Sequence, residues 1–266
     1  MSLLVSDLCY RYPSGPLILD KVSFSLSQGA CLSILGTNGA GKSTLLNCLA
    51  GLLLPDSGEI YLNDRKMSEL RTAEIARQIA YVPQFQNTPY SYTVREYVVM
   101  GRSPYIGVFS TPSQEDYRIA EESLEKMGIS HLREKELTAI SGGERQQAMI
   151  ARALTQQPEI ILLDEPTAHL DYGNQYRVVQ MVQGLTREGY TVIMTTHNPE
   201  HAMMLKGQVA ILNREHHFFT GPTEELLKES LLTSLYGLPI RTLYSEEAGR
   251  NICFVSQIWE KKGNVE

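Results

Sequence analysis

The sequence lacks any apolar run that approaches the roughly 20 residues a membrane-spanning helix needs. Its most obvious apolar run, Ile160–Leu163, has the length and composition of a buried strand. Residues 1–10 also lack the basic start and the apolar stretch of a secretory signal. We therefore expect that a membrane role, if there is one, is exercised through a partner.

Positive charge is also scarce, because 24 Lys and Arg residues stand against 30 Asp and Glu residues and leave a formal net charge of -6. Sequence-independent binding of nucleic acid needs clustered Lys and Arg, so we expect no nucleic-acid partner. The cysteines are few and none are paired at metal-ligand spacing, which predicts reduced thiols in a cytosolic protein. These cysteines are Cys9, Cys31, Cys48 and Cys253.

What the chain does contain is enough apolar material for a sizeable core, with 42% hydrophobic residues over 266 positions. This length favours one domain with lobes over two independent folds. Two apolar or β-branched stretches, Ile160–Leu163 and Thr191–Thr195, are typical of parallel strands buried on both faces. A helix predicted over roughly 175–188 would join them in a β-α-β crossover. The pattern indicates an α/β fold.

The first and middle parts of the chain carry further strand and helix signals. Alternation over Val22–Leu26 and the stretch Glu59–Leu62 predict strands near the start. Thr93 and Ser113 stand where N-caps would start two helices, the first through Met100 and the second ending at Gly128. The middle third is therefore expected to be mainly helical.

A glycine-rich stretch follows the apolar run Ala30–Leu35 and precedes a helix predicted over Lys42–Ala50. Such a loop turns its backbone N–H groups toward the β- and γ-phosphates of a nucleotide, and the helix N-terminus favours the anion. Lys42 supplies a positive charge, and the Ser43 hydroxyl can bind Mg²⁺. The phosphate loop reads Gly36-Thr37-Asn38-Gly39-Ala40-Gly41-Lys42-Ser43-Thr44.

Two carboxylates, Asp164 and Glu165, end the Ile160–Leu163 strand. An Asp at the carboxyl end of a strand beside a phosphate loop can hold Mg²⁺ through water. The second carboxylate is suited to orient and polarise an attacking water molecule. Alone, this pair could be a solvated acidic turn, but the phosphate loop favours a hydrolytic site.

A second glycine pair, in Ser141-Gly142-Gly143-Glu144, opens a helix predicted over Glu144–Leu154 and forms another anion-binding N-terminus. This stretch resembles the signature of the ATP-binding cassette (ABC) ATPase family, a Leu-Ser-Gly-Gly-Gln-like sequence. In that family the signature of one subunit closes over the ATP held by the phosphate loop of the other. The chain departs from the family pattern at Ile140 and Glu144, while Ser141, Gly142 and Gly143 are intact.

Four more positions match the family pattern in order along the chain. The resemblance implies that Tyr12 stacks on adenine and that Gln84 approaches Mg²⁺ and the attacking water. It implies that Asp171 lies in a loop crossing the dimer interface and that His197 contacts the γ-phosphate. A lone histidine after a strand is more often structural, but the ordered set of motifs favours the functional interpretation.

The resemblance also implies an organisation for the whole chain. An ABC ATPase domain would span residues 1–240, with a phosphate-loop core, a small antiparallel β lobe and a helical signature lobe at about 86–158; residues 241–266 would form a C-terminal tail. ATP hydrolysis with Mg²⁺ is then expected at two composite sites in a head-to-tail homodimer. The dimer would sit peripherally on the cytoplasmic face of the plasma membrane, bound to polytopic permease subunits.

Within the family, three stretches are similar to importers of metal chelates: Val99–Tyr105, Ser141–Gln146 and Leu235–Ile240. The implied solutes are iron-siderophore or haem, then cobalamin, then molybdate, delivered by an extracytoplasmic solute-binding protein. A soluble ABC ATPase that assists iron–sulfur cluster assembly is the alternative, against which the stretch Arg102–Pro104 argues. A translation or DNA-repair factor would show two cassettes or a coiled-coil insertion, and a phosphate-loop kinase would lack the signature.

Overall fold

The computed structural model describes residues 2–84, 92–107, 109–213 and 215–256. The strands in this part of the chain are β1 (Ser2–Arg11), β2 (Leu17–Ser27), β3 (Cys31–Leu35), β4 (Ser57–Leu62), β5 (Arg65–Lys66), β6 (Ile79–Val82), β7 (Ile160–Leu163), β8 (Thr191–Thr196), β9 (Gln208–Leu212), β10 (Phe218–Pro222), β11 (Ile240–Ser245) and β12 (Arg250–Val255). The α-helices there are α1 (Lys42–Leu49), α2 (Thr72–Gln78), α3 (Val94–Val99), α4 (Gln114–Lys126), α5 (Gly142–Thr155), α6 (Tyr172–Arg187), α7 (Pro199–Leu205), α8 (Thr223–Leu226) and α9 (Glu229–Tyr236).

The central sheet has six strands in the order β10-β9-β3-β8-β7-β6, and all of its pairings except β10 with β9 are parallel. Every residue of β7 and β8 is buried, which confirms the prediction of parallel strands covered on both faces, and β3 is buried in the same way. Since the strands run in one direction, the segments that follow β3, β6, β7 and β8 meet at one edge of the sheet. The phosphate loop, Gln84, Glu165 and His197 all lie in those segments.

The small antiparallel lobe is a second sheet in the order β2-β1-β4-β5. Alternate residues of β2 are buried along its second half, because Val22, Phe24 and Leu26 face the core while their neighbours face solvent. This alternation confirms the strand that the sequence predicts over Val22–Leu26. The buried face of this sheet shares one apolar cluster with α1 and with one face of the central sheet.

The helical part consists of α3, α4 and α5, which pack against one another through a shared apolar cluster. Thr93 and Ser113 cap α3 and α4 as predicted, since their side chains accept the N–H groups of Glu96 and Asp116. The first residues of the predicted helical lobe, 86–91, lie outside the described residues.

Arg102 links α4 to the end of α5 from a buried position within this helical part. Its guanidinium is buried, lies 2.9 Å from the Asp116 carboxylate and donates to the carbonyl of Thr155 at 3.1 Å. The Tyr105 ring covers it, with a distance of 4.0 Å between the guanidinium carbon and the ring centroid. A buried Arg held by a carboxylate, a carbonyl and an aromatic face explains why the Gly-Arg-X-Pro-Tyr stretch has this composition.

The segment that the sequence analysis designates a tail contains a hairpin, β11–β12, over residues 240–255. It is anchored to the start of α7, where Arg250 lies 2.7 Å from the Glu200 carboxylate. Residues 257–266 of that designated tail lie outside the described residues. Of the helices that the structure describes, none is long and apolar enough to span a bilayer.

Candidate nucleotide site

The phosphate loop runs from the end of β3 into α1 and is shaped by its glycines. Gly39 and Gly41 have φ angles of 81° and 102°, a region that residues with a Cβ rarely adopt. A Cβ on Gly36 would collide with the carbonyl oxygen of Leu212, so that position also requires glycine. These constraints explain the spacing of the glycines and leave α1 starting at Lys42, as predicted.

Lys42 is buried although it carries a charge. Its Nζ donates to the carbonyl oxygens of Gly36 at 2.9 Å and of Thr37 at 3.3 Å, so the side chain folds back along the loop. The same Nζ lies 3.1 Å from Oε1 of Glu165. The loop cation and the carboxylate after β7 therefore form a largely buried ion pair.

Glu165 is the centre of the polar cluster at this edge of the sheet. Besides Lys42, its carboxylate accepts from Nε2 of Gln84 at 3.3 Å and lies 3.5 Å from Nδ1 of His197. The contact with His197, and then Lys42, lower the pKa of Glu165 to about 2 although burial opposes this. The carboxylate in turn raises the pKa of His197. Glu165 also has a φ of 44°, a strained conformation for a residue with a side chain.

Asp164 lies next to this cluster and is almost completely buried. Its two carboxylate oxygens accept hydrogen bonds from the hydroxyls of Thr195 at 2.7 Å and Tyr81 at 3.3 Å. Burial and the Asp164 charge raise the pKa of Tyr81, so this phenol stays protonated and able to donate. Tyr81 and Thr195 could not be predicted from the sequence as site residues, since only the pairing of β6 and β8 on either side of β7 brings them to Asp164.

The donor set suits Mg²⁺, since Ser43, Asp164 and Gln84 offer a hydroxyl, a carboxylate and an amide oxygen, the hard ligands that this ion prefers. In the part of the chain that the structure describes, no group of three His, Cys, Asp or Glu residues could hold a metal by itself. A few protein oxygens completed by phosphates and water is the usual arrangement for Mg²⁺ in phosphoryl transfer.

An open cavity of about 370 Å³ lies at the loop, and its lining includes Glu165, Gln84 and Tyr12. Tyr12 is 43% exposed, and its hydroxyl lies 3.3 Å from that of Thr44. The ring of Tyr10 meets the Tyr12 ring edge-on with centroids 5.1 Å apart, a contact that helps to hold the Tyr12 ring in place beside the cavity. The remaining lining residues are Ile18, Asn38, Gly39, Gly41, Lys42, Ser43 and Thr44, and Ala40 of the loop is buried.

The signature opens α5 one residue after Ser141. The helix begins at Gly142, two residues earlier than predicted, because Ser141 caps it in a reciprocal arrangement with Glu144. The Glu144 carboxylate accepts from the Ser141 backbone N–H at 2.8 Å and from its hydroxyl at 2.7 Å. Glu144, one of the two departures from the family pattern, thus stabilises the helix start itself.

Asp171 caps α6 and accepts the backbone N–H of Asn174 at 2.8 Å. This cap starts α6 at Tyr172, so the prediction of a start near residue 175 is wrong by one turn. A second Asp171 oxygen accepts from the Asn174 side-chain amide at 2.7 Å. That amide lies so close to Gly143 that a Cβ there would come within 2.9 Å of it. Asn174 could not be predicted from the sequence as a site residue, because no local pattern links it to Gly143.

The structure thus gathers the predicted residues into two groups. Of the described residues that line the nucleotide cavity, none is Asp171 or comes from Ser141–Gly143. These four residues form a separate surface at the start of α5 and α6. One chain therefore carries a phosphate-loop half and a signature half that do not share a cavity.

Comparisons with known proteins identify the family of the chain. The family of ABC transporters matches residues 19–168, more than half of the chain. The molybdate import ATP-binding protein MolC of Haemophilus influenzae is 36% identical over 240 residues, covering 90% of this chain and 89% of the relative. The hemin import ATP-binding protein HmuV of Rhodococcus jostii is 35% identical over 239 residues, covering 90% and 81%.

A solved ABC transporter of proposed metal-chelate type, in an inward-facing conformation, is 34% identical and superposes with a TM-score of 0.83 over 95% of both chains. The match therefore covers the fold over nearly the whole chain. The chain belongs to the ABC transporter family and is one of its ATP-binding, ATP-hydrolysing proteins.

Proposed function

We propose that this chain is the ATP-hydrolysing subunit of an ABC importer and that it works as a homodimer bound to a polytopic membrane permease. The observation that carries the proposal is the contact of Glu165 with Lys42, Gln84 and His197 at the edge of the phosphate loop. This cluster places a carboxylate, a loop cation, an amide and an imidazole around one position beside the cavity. Such a set suits hydrolysis of a nucleotide, since it can bind phosphate and polarise water.

In this proposal, the backbone N–H groups of the loop and Lys42 bind the β- and γ-phosphates, and Tyr12 stacks on the base. Ser43, Gln84 and Asp164 would hold Mg²⁺, which when bound neutralises charge on the phosphate oxygens. Glu165 accepts a proton from the attacking water, and His197 contacts the γ-phosphate. Catalysis is then mainly positioning and charge stabilisation.

The low pKa of Glu165 links its strength as a base to the presence of the nucleotide. With a pKa of about 2, the carboxylate is ionised but is a weak proton acceptor at neutral pH. The groups that lower its pKa, His197 and Lys42, are those that a γ-phosphate would attract. A bound nucleotide would weaken their contacts with Glu165 and raise its pKa toward the ordinary value, which would make the carboxylate a better base once substrate is present.

The homodimer is supported by the separation of the two halves within one chain. Ser141–Gly143 form a helix N-terminus suited to phosphate and Asp171 caps the neighbouring helix α6, yet all four residues lie outside the cavity lined by Lys42. Two chains arranged head to tail would bring the signature half of each against the phosphate-loop half of the other. Each composite site is then complete only in the pair.

The solute is proposed from the relatives, whose names refer to molybdate and hemin import and to a metal-chelate type of transporter. We propose a metal chelate or related oxyanion, namely an iron-siderophore, haem, cobalamin or molybdate, that an extracytoplasmic binding protein delivers to the permease. The ATPase dimer would sit on the cytoplasmic face of the plasma membrane. Its chain never touches the solute in this arrangement.

Co-purification tests the importer assignment. A tagged chain expressed in its native host and captured from a detergent extract should retain a polytopic membrane protein through washing, because the permease is its obligate partner. Mass spectrometry identifies the retained protein, and the tag alone is the control. Capture of soluble iron–sulfur assembly factors with no polytopic protein would favour the alternative ATPase and contradict the importer.

A further inference from the structure

His201 is a buried histidine whose position the nucleotide site does not by itself explain. It lies on α7, only 1% exposed, although an uncharged imidazole gains little from burial unless both nitrogens find partners. Its Nδ1 lies 3.2 Å from the Thr196 hydroxyl and 3.4 Å from the Thr167 hydroxyl. Its Nε2 lies 3.3 Å from the side-chain nitrogen of Asn198. The ring therefore touches the segments after β7 and β8 as well as its own helix.

The hydrogen bonds of Asn198 determine which ring nitrogen carries the proton. Its side-chain oxygen accepts the N–H of Glu200 at 3.0 Å and caps α7, so its amide nitrogen faces His201. An amide nitrogen only donates, so Nε2 of His201 is the acceptor and Nδ1 is protonated. The Nδ1 proton then goes to the Thr196 hydroxyl, which also accepts the backbone N–H of Asn198 at 3.1 Å. Burial lowers the pKa of His201 to about 4, which keeps this neutral form.

These hydrogen bonds hold the residues on either side of His197. Thr196 and Asn198 are its two neighbours in the chain, and both are held by the His201 ring. The third partner, Thr167, follows Glu165 by two residues in the turn after β7. One neutral ring thus connects the side chains on both sides of His197 to the turn that carries Glu165, whose carboxylate lies 3.5 Å from the His197 ring.

We propose that His201 is a positioning residue that holds His197 in register with Glu165 through Thr196, Asn198 and Thr167. The inference rests on the proposed function, since it assigns His201 a part in the same hydrolytic site. His201 contacts neither nucleotide nor water in this scheme. Its effect is on the geometry of the reacting groups, where a displacement of about 1 Å can cost on the order of 100-fold in rate.

The first test is His201→Phe, which keeps a flat ring of similar size and removes both nitrogens. We expect kcat for ATP hydrolysis to fall roughly 10- to 100-fold, while the Kd of a fluorescent ATP analogue changes less than about twofold, because the phosphate loop is untouched. The matched control is Met203→Leu on the same helix, a buried residue that packs in the apolar cluster with Leu35 and Ile211. Its kcat should stay at the wild-type value. A wild-type kcat for His201→Phe would overturn the proposal.

A double-mutant cycle separates positioning from general damage. If His201 acts through His197, then His197→Ala/His201→Phe should turn over no more slowly than His197→Ala alone. Losses that multiply would mean that His201 acts independently of His197, and the proposal would fail. If His201→Phe does not fold, Thr196→Val removes the Nδ1 acceptor with little change of shape and enters the same cycle under the same criterion.

Glu165→Gln is measured in parallel so that the proposed hydrolytic site and the proposed role of His201 can be refuted separately. If Glu165→Gln hydrolyses ATP at the wild-type rate, the proposed site is wrong. If Glu165→Gln is inactive and His201→Phe is normal, the site stands and only the role of His201 is refuted.

Discussion

Replacing Glu165 with glutamine should leave ATP binding close to the wild-type level and lower kcat for hydrolysis by about 10²- to 10⁴-fold. The amide keeps the size of the side chain but cannot accept a proton from water. Binding is spared because Lys42 and the loop amides remain in place. A steady-state ATPase assay together with the Kd of a fluorescent ATP analogue measures both effects.

Glu159→Gln is the matched control, since Glu159 is an exposed carboxylate that precedes the same strand at its opposite end. Its kcat should be unchanged. The Glu165→Gln chain should also accumulate as an ATP-bound dimer in size-exclusion chromatography, because hydrolysis is what reopens the pair. An NMR titration adds an independent readout: the pKa of His197 should fall, since Glu165 is the main cause that raises it. Near wild-type turnover in Glu165→Gln would refute Glu165 as the base.

Replacing Lys42 with alanine should act at an earlier step, with ATP affinity weakened roughly 10- to 100-fold, as expected for loss of a charge-assisted contact worth about 1.5–3 kcal/mol. The Nζ stands 2.9 Å from the Gly36 carbonyl, inside the curl of the loop where phosphates would bind. Its loss also leaves the Glu165 carboxylate without its loop cation beside a nucleotide anion. Affinity for a fluorescent ATP analogue measures the effect.

Lys66→Ala is the control for that experiment. Lys66 pairs with Glu59 at 2.8 Å in the antiparallel sheet and is absent from the cavity lining. The Lys66→Ala substitution removes the same positive charge from the chain as Lys42→Ala, so any general electrostatic effect on nucleotide binding would appear in both variants. Equal affinities in wild type and Lys42→Ala would mean that the loop does not bind phosphate as described.

The nucleotide half of the site could be predicted from the sequence because each of its parts is contiguous. The phosphate loop and the Asp164–Glu165 pair each follow an apolar strand, and parallel strands bring their carboxyl ends to one edge. The local sequence therefore determines which side chains each segment carries, and the parallel topology of the sheet brings these segments together. The same reasoning could not find Tyr81 or Thr195, whose hydroxyls orient Asp164 from neighbouring strands.

The missed features all depend on contacts between segments distant in sequence or on a cap whose helix signal is weak. The early start of α6 follows from Asp171 acting as its N-cap over the helix-poor stretch Tyr172–Asn174. The β11–β12 hairpin is held by Glu200, which binds Arg250 fifty residues later. Arg102, interpreted from the sequence as a mark of a transporter subgroup, is a buried tie between α4 and the end of α5.

The most direct test of a site completed by two chains uses two complementary variants, both in a Glu165→Gln background that prevents hydrolysis from reopening the pair. Ser141→Arg adds bulk where the partner's nucleotide would approach and keeps the phosphate loop intact, whereas Lys42→Ala does the reverse. In a mixture, one composite site joins the intact loop of the first chain to the intact signature of the second, and the other site has both defects.

Size-exclusion chromatography with light scattering reads the outcome, with one chain carrying a fusion tag so that mixed pairs differ in mass from either homodimer. We expect each variant alone to stay monomeric with ATP and the mixture to form an ATP-dependent mixed dimer. A Ser141→Arg chain that dimerises alone at the ATP concentration sufficient for the parent Glu165→Gln chain, or a mixture that remains monomeric, would contradict it.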